Sequence, residues 1–190
     1  MTHFEYLAIA FSLVISFSAM RMLAGLPHVL APANVYWIHG CFVISHLLVT
    51  AVSFWNMWNF RVADWSLPRF LLVLAIPGSL YYCACALVPE RPDEVESWRD
   101  HYFELRRRYF GGVFFLICSI SITLYAVVGV PILTIERVPQ VVAGTIAAAG
   151  FASANERLHA TLALTMLASL LLSSIAIFAS PDFLIETTTQ

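Results

Sequence analysis

The stretch Trp37-Ile38-His39-Gly40-Cys41-Phe42-Val43-Ile44-Ser45-His46-Leu47-Leu48-Val49-Thr50-Ala51-Val52-Ser53-Phe54-Trp55 holds no Asp, Glu, Lys or Arg and begins and ends on tryptophan. Trp37 precedes Trp55 by 18 residues and Trp58 by 21, so on a helix these rings stand roughly 27 to 32 Å apart. A bilayer's hydrocarbon layer is roughly 30 Å thick, and Trp favours its two boundaries. The stretch therefore reads as a helix that crosses a membrane.

The rest of the chain agrees. Of 190 residues, 60% are hydrophobic and 12% are charged, with a mean hydropathy of +0.80. Soluble domains carry about 25% charged residues, so this composition excludes a soluble globular enzyme and a disordered chain alike. All ten basic residues are Arg and the net charge is −2, which excludes the basic face of a nucleic-acid binder. Cys41, Cys83, Cys85 and Cys118 all lie in apolar stretches and read as small buried residues. No dinucleotide fingerprint, Walker loop, zinc-protease motif or nucleophile elbow is present.

Apolar runs predict six spans, over 4–23, 34–58, 67–88, 109–135, 138–154 and 158–178. The fifth is short and rich in Ala and Gly, which also suits a re-entrant or tightly buried helix. No period-two alternation recurs, which excludes an outer-membrane barrel. The first span has no positive leading segment and begins near Glu5, unlike a removable signal peptide. The expected fold is an all-α, polytopic transmembrane helix bundle, one domain over 1–190.

Arginine sets the expected orientation. With six spans, Arg21, Arg91, Arg99, Arg106, Arg107, Arg108 and Arg157 fall on one side, and Arg61, Arg69 and Arg137 on the other. The positive-inside rule then places both termini in the periplasm of a bacterial inner membrane; if 138–154 does not cross, the C-terminus moves to the cytoplasmic side. The long polar segment 90–108 is expected to be a cytoplasmic amphipathic helix. Trp98, Tyr102, Leu105 and Tyr109 recur on it at helical spacing, which suits the membrane interface. Arg106, Arg107 and Arg108 would then touch anionic lipid at headgroup level.

Inside the spans, polar groups mark either close packing or a path. Glu5, Ala8, Ser12, Ser16 and Ala19 share one face of the first helix. Small residues there admit a neighbouring backbone; alternatively Glu5 heads a cation path lined by Ser12 and Ser16. His39, His46 and Ser53, with Thr50 nearby, form a polar stripe on the second helix. Seven residues of helix are roughly 10 Å, too far for His39 and His46 to bind one iron. His39 with His159, expected on the same leaflet, is a geometric candidate for the axial pair of a haem b, with His46 as a proton-relay member. The other reading makes these histidines hydrogen-bonded packing residues, with no cofactor or metal expected. Cys83 and Cys85 point to nearly opposite helix faces and form no chelating pair. Asn155 suits a helix N-cap and Glu156 a first turn. Together with Arg21, His28, Arg107, Arg108, Arg157 and His159 they make a polar cluster at the cytoplasmic leaflet, where a ligand site would be sought first. Thr161, Thr165, Ser169 and Ser173 repeat every four residues on the last helix, and Gly144, Ala148 and Ala152 on the fifth.

Several motifs carry a resemblance that covers most of the chain. Phe4-Glu5-Tyr6, Trp37-Ile38-His39, Trp55 with Trp58, and Pro89 after the third span form its first part. His101-Tyr102-Phe103, Arg107-Arg108-Tyr109-Phe110 and Asn155-Glu156-Arg157-Leu158-His159 complete it. In these the sequence resembles a widespread, uncharacterised family of bacterial six-helix inner-membrane proteins. The resemblance implies that Glu5, His39, Arg107, Arg108, Glu156 and His159 matter jointly, and it carries no activity. Size and span layout also resemble bacterial members of the lysosomal-type potassium-channel family, although Phe11-Ser12-Leu13 stands where that family has Phe-Ser-Asp. The expected function is transport of a small ion or solute, as channel or transporter, along polar faces of spans one, two and six of a homo-oligomer. Haem- or quinone-based electron transfer, and a non-catalytic subunit of a larger membrane complex, are the alternatives.

Overall fold

The computed structural model describes residues 2–131, 134 and 137–179, which form six α-helices with no strand among them. They are α1 (His3–Val29), α2 (Trp37–Asn56), α3 (Leu67–Leu87), α4 (Trp98–Thr123), α5 (Val138–Ala152) and α6 (Glu156–Ala179). All but α5 belong to segments long and apolar enough to cross a membrane. The protein is an all-α transmembrane bundle.

Local chemistry fixes the helix starts. Thr2 and Glu5 form a capping box on α1: the Thr2 hydroxyl accepts from the Glu5 N–H at 3.2 Å, and the Glu5 carboxylate accepts from the Thr2 N–H at 2.9 Å. Ser97 caps α4 by accepting from the Asp100 N–H. The Asn155 side-chain oxygen accepts from the N–H groups of Arg157 and Leu158 at the start of α6. Each cap uses backbone donors that a helix end leaves free.

Contacts between the helix ends give the chain's path. Phe4, at the start of α1, meets Trp58 just beyond α2 at a ring separation of 6.1 Å. The Thr123 hydroxyl at the end of α4 donates to the Leu72 carbonyl near the start of α3. Arg137, just before α5, reaches the Ser121 carbonyl, and Ser153, just after α5, accepts from Arg106. The chain therefore passes six times between an Arg-rich end and the opposite end. The start of α1 and the end of α6 share the opposite end.

Two expectations change here. The run 138–154 is helical over 15 residues, roughly 22 Å, against the roughly 30 Å of a hydrocarbon layer. It lies along α4 between the levels of Ser121 and Arg106 and returns the chain without the length of a full span. The segment 90–108 is not one surface helix. A single 3-10 turn over Pro92–Glu94 is followed by a break, and the helix starts at Trp98 and continues unbroken into the fourth span. Trp98, Tyr102 and Tyr109 are each 2% exposed, so this aromatic stripe is core rather than membrane interface. Ile135, the expected end of the fourth span, lies outside the described residues.

Two buried clusters hold the bundle. One, toward the Arg-rich end, joins Met22, Phe42, Cys83, Trp98, Tyr102, Phe110 and Ala163. The other joins Leu7, Phe11, Ile15, Val73, Leu80 and Leu116. In lipid the driving force between helices is dense packing rather than exclusion of water. α3 and α4 approach closely at Gly112, where an added Cβ would stand 2.7 Å from Cys83 Sγ and 2.8 Å from the Tyr82 ring. Outward faces carry Leu13, Phe17, Leu71, Phe114, Leu164 and Ile175, all exposed.

Candidate functional site

The Arg-rich end gathers a cluster of histidine, tyrosine and ion-paired groups. At its rim the Tyr36 hydroxyl donates to Glu156 Oε1 at 3.0 Å. Arg99 grips the same carboxylate from Nη2 to Oε2 at 2.8 Å and from Nε to Oε1 at 3.3 Å. Tyr36 lies in the loop between α1 and α2, where partial burial, and then the hydrogen bond to Glu156, hold its phenol well above the ordinary value. Loop, α4 and α6 are thereby tied together.

Deeper in, the Tyr102 hydroxyl lies 2.6 Å from His159 Nδ1, and His159 Nε2 lies 2.9 Å from the Ser153 carbonyl. A carbonyl only accepts, so Nε2 carries the proton, Nδ1 is the acceptor, and the tyrosine donates. Ser153 also accepts from Arg106 Nε at 3.2 Å. The C-terminal end of α5 is thus fixed by a histidine and an arginine.

Beside this pair sits His39, 1% exposed. Its ring stacks on Trp98 at 5.1 Å and stands edge-on to His101 at 6.0 Å and Tyr102 at 5.9 Å. Both of its nitrogens, and Nε2 of His101, are buried without a hydrogen-bond partner among the described residues. The Leu87 carbonyl approaches both rings without closing a bond of acceptable geometry. Buried polar atoms in proteins are nearly always paired; among the described residues single unpaired atoms also occur at Ser45, Trp65, His101 and Thr134, and His39 is the residue with two.

His46 lies farther along α2, between the two clusters. Its Nε2 donates to the Leu80 carbonyl at 2.9 Å, with Ser18 Oγ at 3.5 Å. Thr50, also buried, donates back to the His46 carbonyl. The α2 stripe is therefore internal. The expected α1 stripe is not: Glu5 and Ser16 are exposed, Ser12 is half-buried, and the Ser16 hydroxyl is spent on the Ser12 carbonyl. Ser18, which the spacing of small residues passed over, is the α1 residue whose hydroxyl faces His46.

The expected cluster of charged and polar residues is brought together in part. Arg21 donates to the Val88 carbonyl, and the His28 carbonyl accepts from Trp98 Nε1. The imidazole of His28 and the guanidinium of Arg157 take no part among the described residues. Arg107 and Arg108 are exposed and make no hydrogen bond or ion pair there. Tyr36, Arg99, Tyr102 and Ser153 complete the cluster, and only the helical spacing of Tyr102 with Trp98 and Tyr109 hinted at any of them.

His39 and His159 do not fit a haem as an axial pair. Both nitrogens of His159 are engaged, and the Tyr102 ring lies against both histidines, 5.9 Å from one and 5.4 Å from the other. Comparison with family models, with curated proteins and with solved structures found no match to this chain.

Proposed function

We propose that the protein is a membrane transport protein for a small ion, and that the ion is the proton. One observation carries this reading: His39 is sealed inside the bundle with both ring nitrogens unpartnered among the described residues. A neutral imidazole accepts a proton on one ring nitrogen and donates one from the other, and groups that exchange protons extend from it in both directions. Toward the Arg-rich end stand His101, Tyr102 and His159; along α2 stand His46 with Ser18, and Thr50. The path runs through α2 with help from α1, α4 and α6, and Ser12, Ser16 and Glu5 lie outside it. A proton needs hydrogen-bonding groups and single waters rather than a wide lumen. That suits a bundle whose two described grooves, about 510 and 490 Å³, lie between α3 and α4 and between α5 and α6 rather than along α2.

The test is proton flux into liposomes that hold the purified protein and an internal pH dye, driven by a potassium diffusion potential. The expected result is acidification above that of empty liposomes, reduced at least about tenfold in His39→Phe, as for loss of a proton-transfer group. Flux equal to that of empty liposomes rejects the reading and favours a non-catalytic subunit of a larger complex. For that, the outward α1 face of Ser12, Ser16 and Ala19 is the surface open to a second copy or a partner.

A further inference from the structure

We infer that the groove between α3 and α4 holds one acyl chain of an anionic glycerophospholipid, whose phosphate is gripped by Arg107 and Arg108. The groove has a volume of about 510 Å³. Its walls are the α3 face of Ala75, Gly78, Ser79 and Tyr82 and the α4 face of Gly111, Gly112 and Phe115, with both arginines also lining it. It lies on the outside of the bundle, where Tyr82 and Phe115 are more than half exposed. The lipid would come from the leaflet at the Arg-rich end.

Three features set this groove apart from an ordinary gap between helices. Gly112 draws the two helices into contact at Cys83 and Tyr82, while at Gly78 a Cβ would find nothing within 4 Å. The helices touch at one level and leave a slot at the next. The slot is apolar apart from Ser79, whose hydroxyl is spent on the Ala75 carbonyl, and charged at the end where Arg107 and Arg108 stand, the same order of chemistry as a lipid tail and its phosphate.

The three consecutive arginines also differ in use. Arg106 is committed to the Ser153 and Phe103 carbonyls. Arg107 leans on the Phe151 ring at 5.9 Å, and neither it nor Arg108 makes a hydrogen bond or ion pair among the described residues. Both guanidinium groups therefore keep their N–H donors unused among the described residues, and guanidinium binds phosphate in two-pronged geometry. Charge complementarity selects an anionic lipid over a zwitterionic one.

The protein in neutral detergent is examined by native mass spectrometry after equilibration with phosphatidylglycerol or phosphatidylcholine of the same chains, and with glycerol 1-phosphate alone. One phosphatidylglycerol is expected to be retained per chain, about tenfold or more over phosphatidylcholine, as two arginines at an anionic headgroup imply. Glycerol 1-phosphate should not be retained, because it has no chain for the slot. Gly78→Leu fills open space without touching the helix contact, and should abolish retention while thermal unfolding is unchanged. Arg107→Gln with Arg108→Gln should bring the two lipids to equal retention. Equal retention of both lipids by the unaltered protein, or undiminished retention in Gly78→Leu, overturns the assignment. None of these outcomes depends on proton flux.

Discussion

The Tyr102 hydroxyl and His159 Nδ1 meet at 2.6 Å in the buried heart of the Arg-rich end, and this bond sets the histidine's tautomer from the side opposite Ser153. Replacing Tyr102 by Phe keeps the ring that packs on Phe42 and His39 and removes only the donor. His159 is left with a buried acceptor unsatisfied, a loss of about 1–3 kcal/mol. Equilibrium unfolding in detergent micelles should show Tyr102→Phe destabilised by that amount. A loss below about 0.5 kcal/mol would mean that water replaces the hydroxyl.

The Arg99–Glu156 pair should matter far less. Its geometry is two-pronged, yet the side chains are 54% and 45% exposed, and ion pairs in water contribute about 0–1 kcal/mol. Glu156→Gln keeps an acceptor for Tyr36 and should leave the unfolding midpoint close to that of the unaltered protein. The difference from the unaltered protein should shrink further in molar salt, where the screening length is about 3 Å. A larger, salt-independent loss would show that the carboxylate works through Tyr36 instead.

How much of this was legible follows from which stripes were read. The charge-free run of α2 and its flanking tryptophans identify a membrane helix unaided, and the buried side of α2 carries His39, His46 and Thr50 as expected. On α1 the stripe of small residues points the wrong way. The buried positions are Leu7, Phe11, Ile15, Ser18, Met22, Gly25 and Val29, spaced by fours and threes, so the large residues mark the core and bring Ser18 with them. The fifth helix repeats the lesson one residue out of step: Ala143, Ile146, Ala147 and Gly150 are buried, where Gly144, Ala148 and Ala152 had been the stripe. On α1 the larger side chains turn inward, whereas on α5 the buried face is itself mostly small, offset by one position, with Val141 and Phe151 outward. Tyr102 shows a different limit. Its spacing with Trp98 and Tyr109 is visible in sequence, but an aromatic face suits a lipid interface and a protein core equally. Only the fold, by placing α2 and α6 against it, separates the two. His39's missing partners have no sequence signature at all, since they depend on what three other helices fail to supply.

Glycine substitutions on facing helices should separate close contact from open space. At Gly112 a methyl group must displace Cys83 Sγ or the Tyr82 ring, and overpacking of that kind costs about 1–3 kcal/mol. At Gly78 nothing stands within 4 Å, so Gly78→Ala gains helix propensity, up to about 1 kcal/mol. Thermal unfolding should therefore fall in Gly112→Ala and hold or rise in Gly78→Ala. A fall in both would mean that α3 and α4 approach each other along their whole length.

The last test concerns Arg137, which the charge pattern marks only as one of three arginines at the opposite end. It is 4% exposed, and burial lowers its pKa without bringing it near neutrality. Its guanidinium donates to the Val130 carbonyl at 2.8 Å and to the Pro131 and Ser121 carbonyls at 3.2 Å. These carbonyls belong to the α4 C-terminal turns and the chain just past Gly129, whose φ of 84° ends the helical run. A cation at this place meets the negative end of the helix dipole, with the Val130 and Pro131 carbonyls just past the helical run and the Ser121 carbonyl, which also accepts from the Leu124 N–H. Arg137→Met keeps much of the stem's volume and withdraws every donor, and each lost bond to a charged donor is worth about 1.5–3 kcal/mol. The variant should lose about 3 kcal/mol in detergent unfolding, with Arg137→Lys between it and the unaltered protein, because an ammonium keeps the charge but not the fork. Arg69, half-buried and bonded only to the Asp64 carbonyl among the described residues, is the control, and Arg69→Met should stay within about 0.5 kcal/mol. If the two methionine variants lose equally little, the α4 terminus is held by packing, and the buried guanidinium is a passenger there.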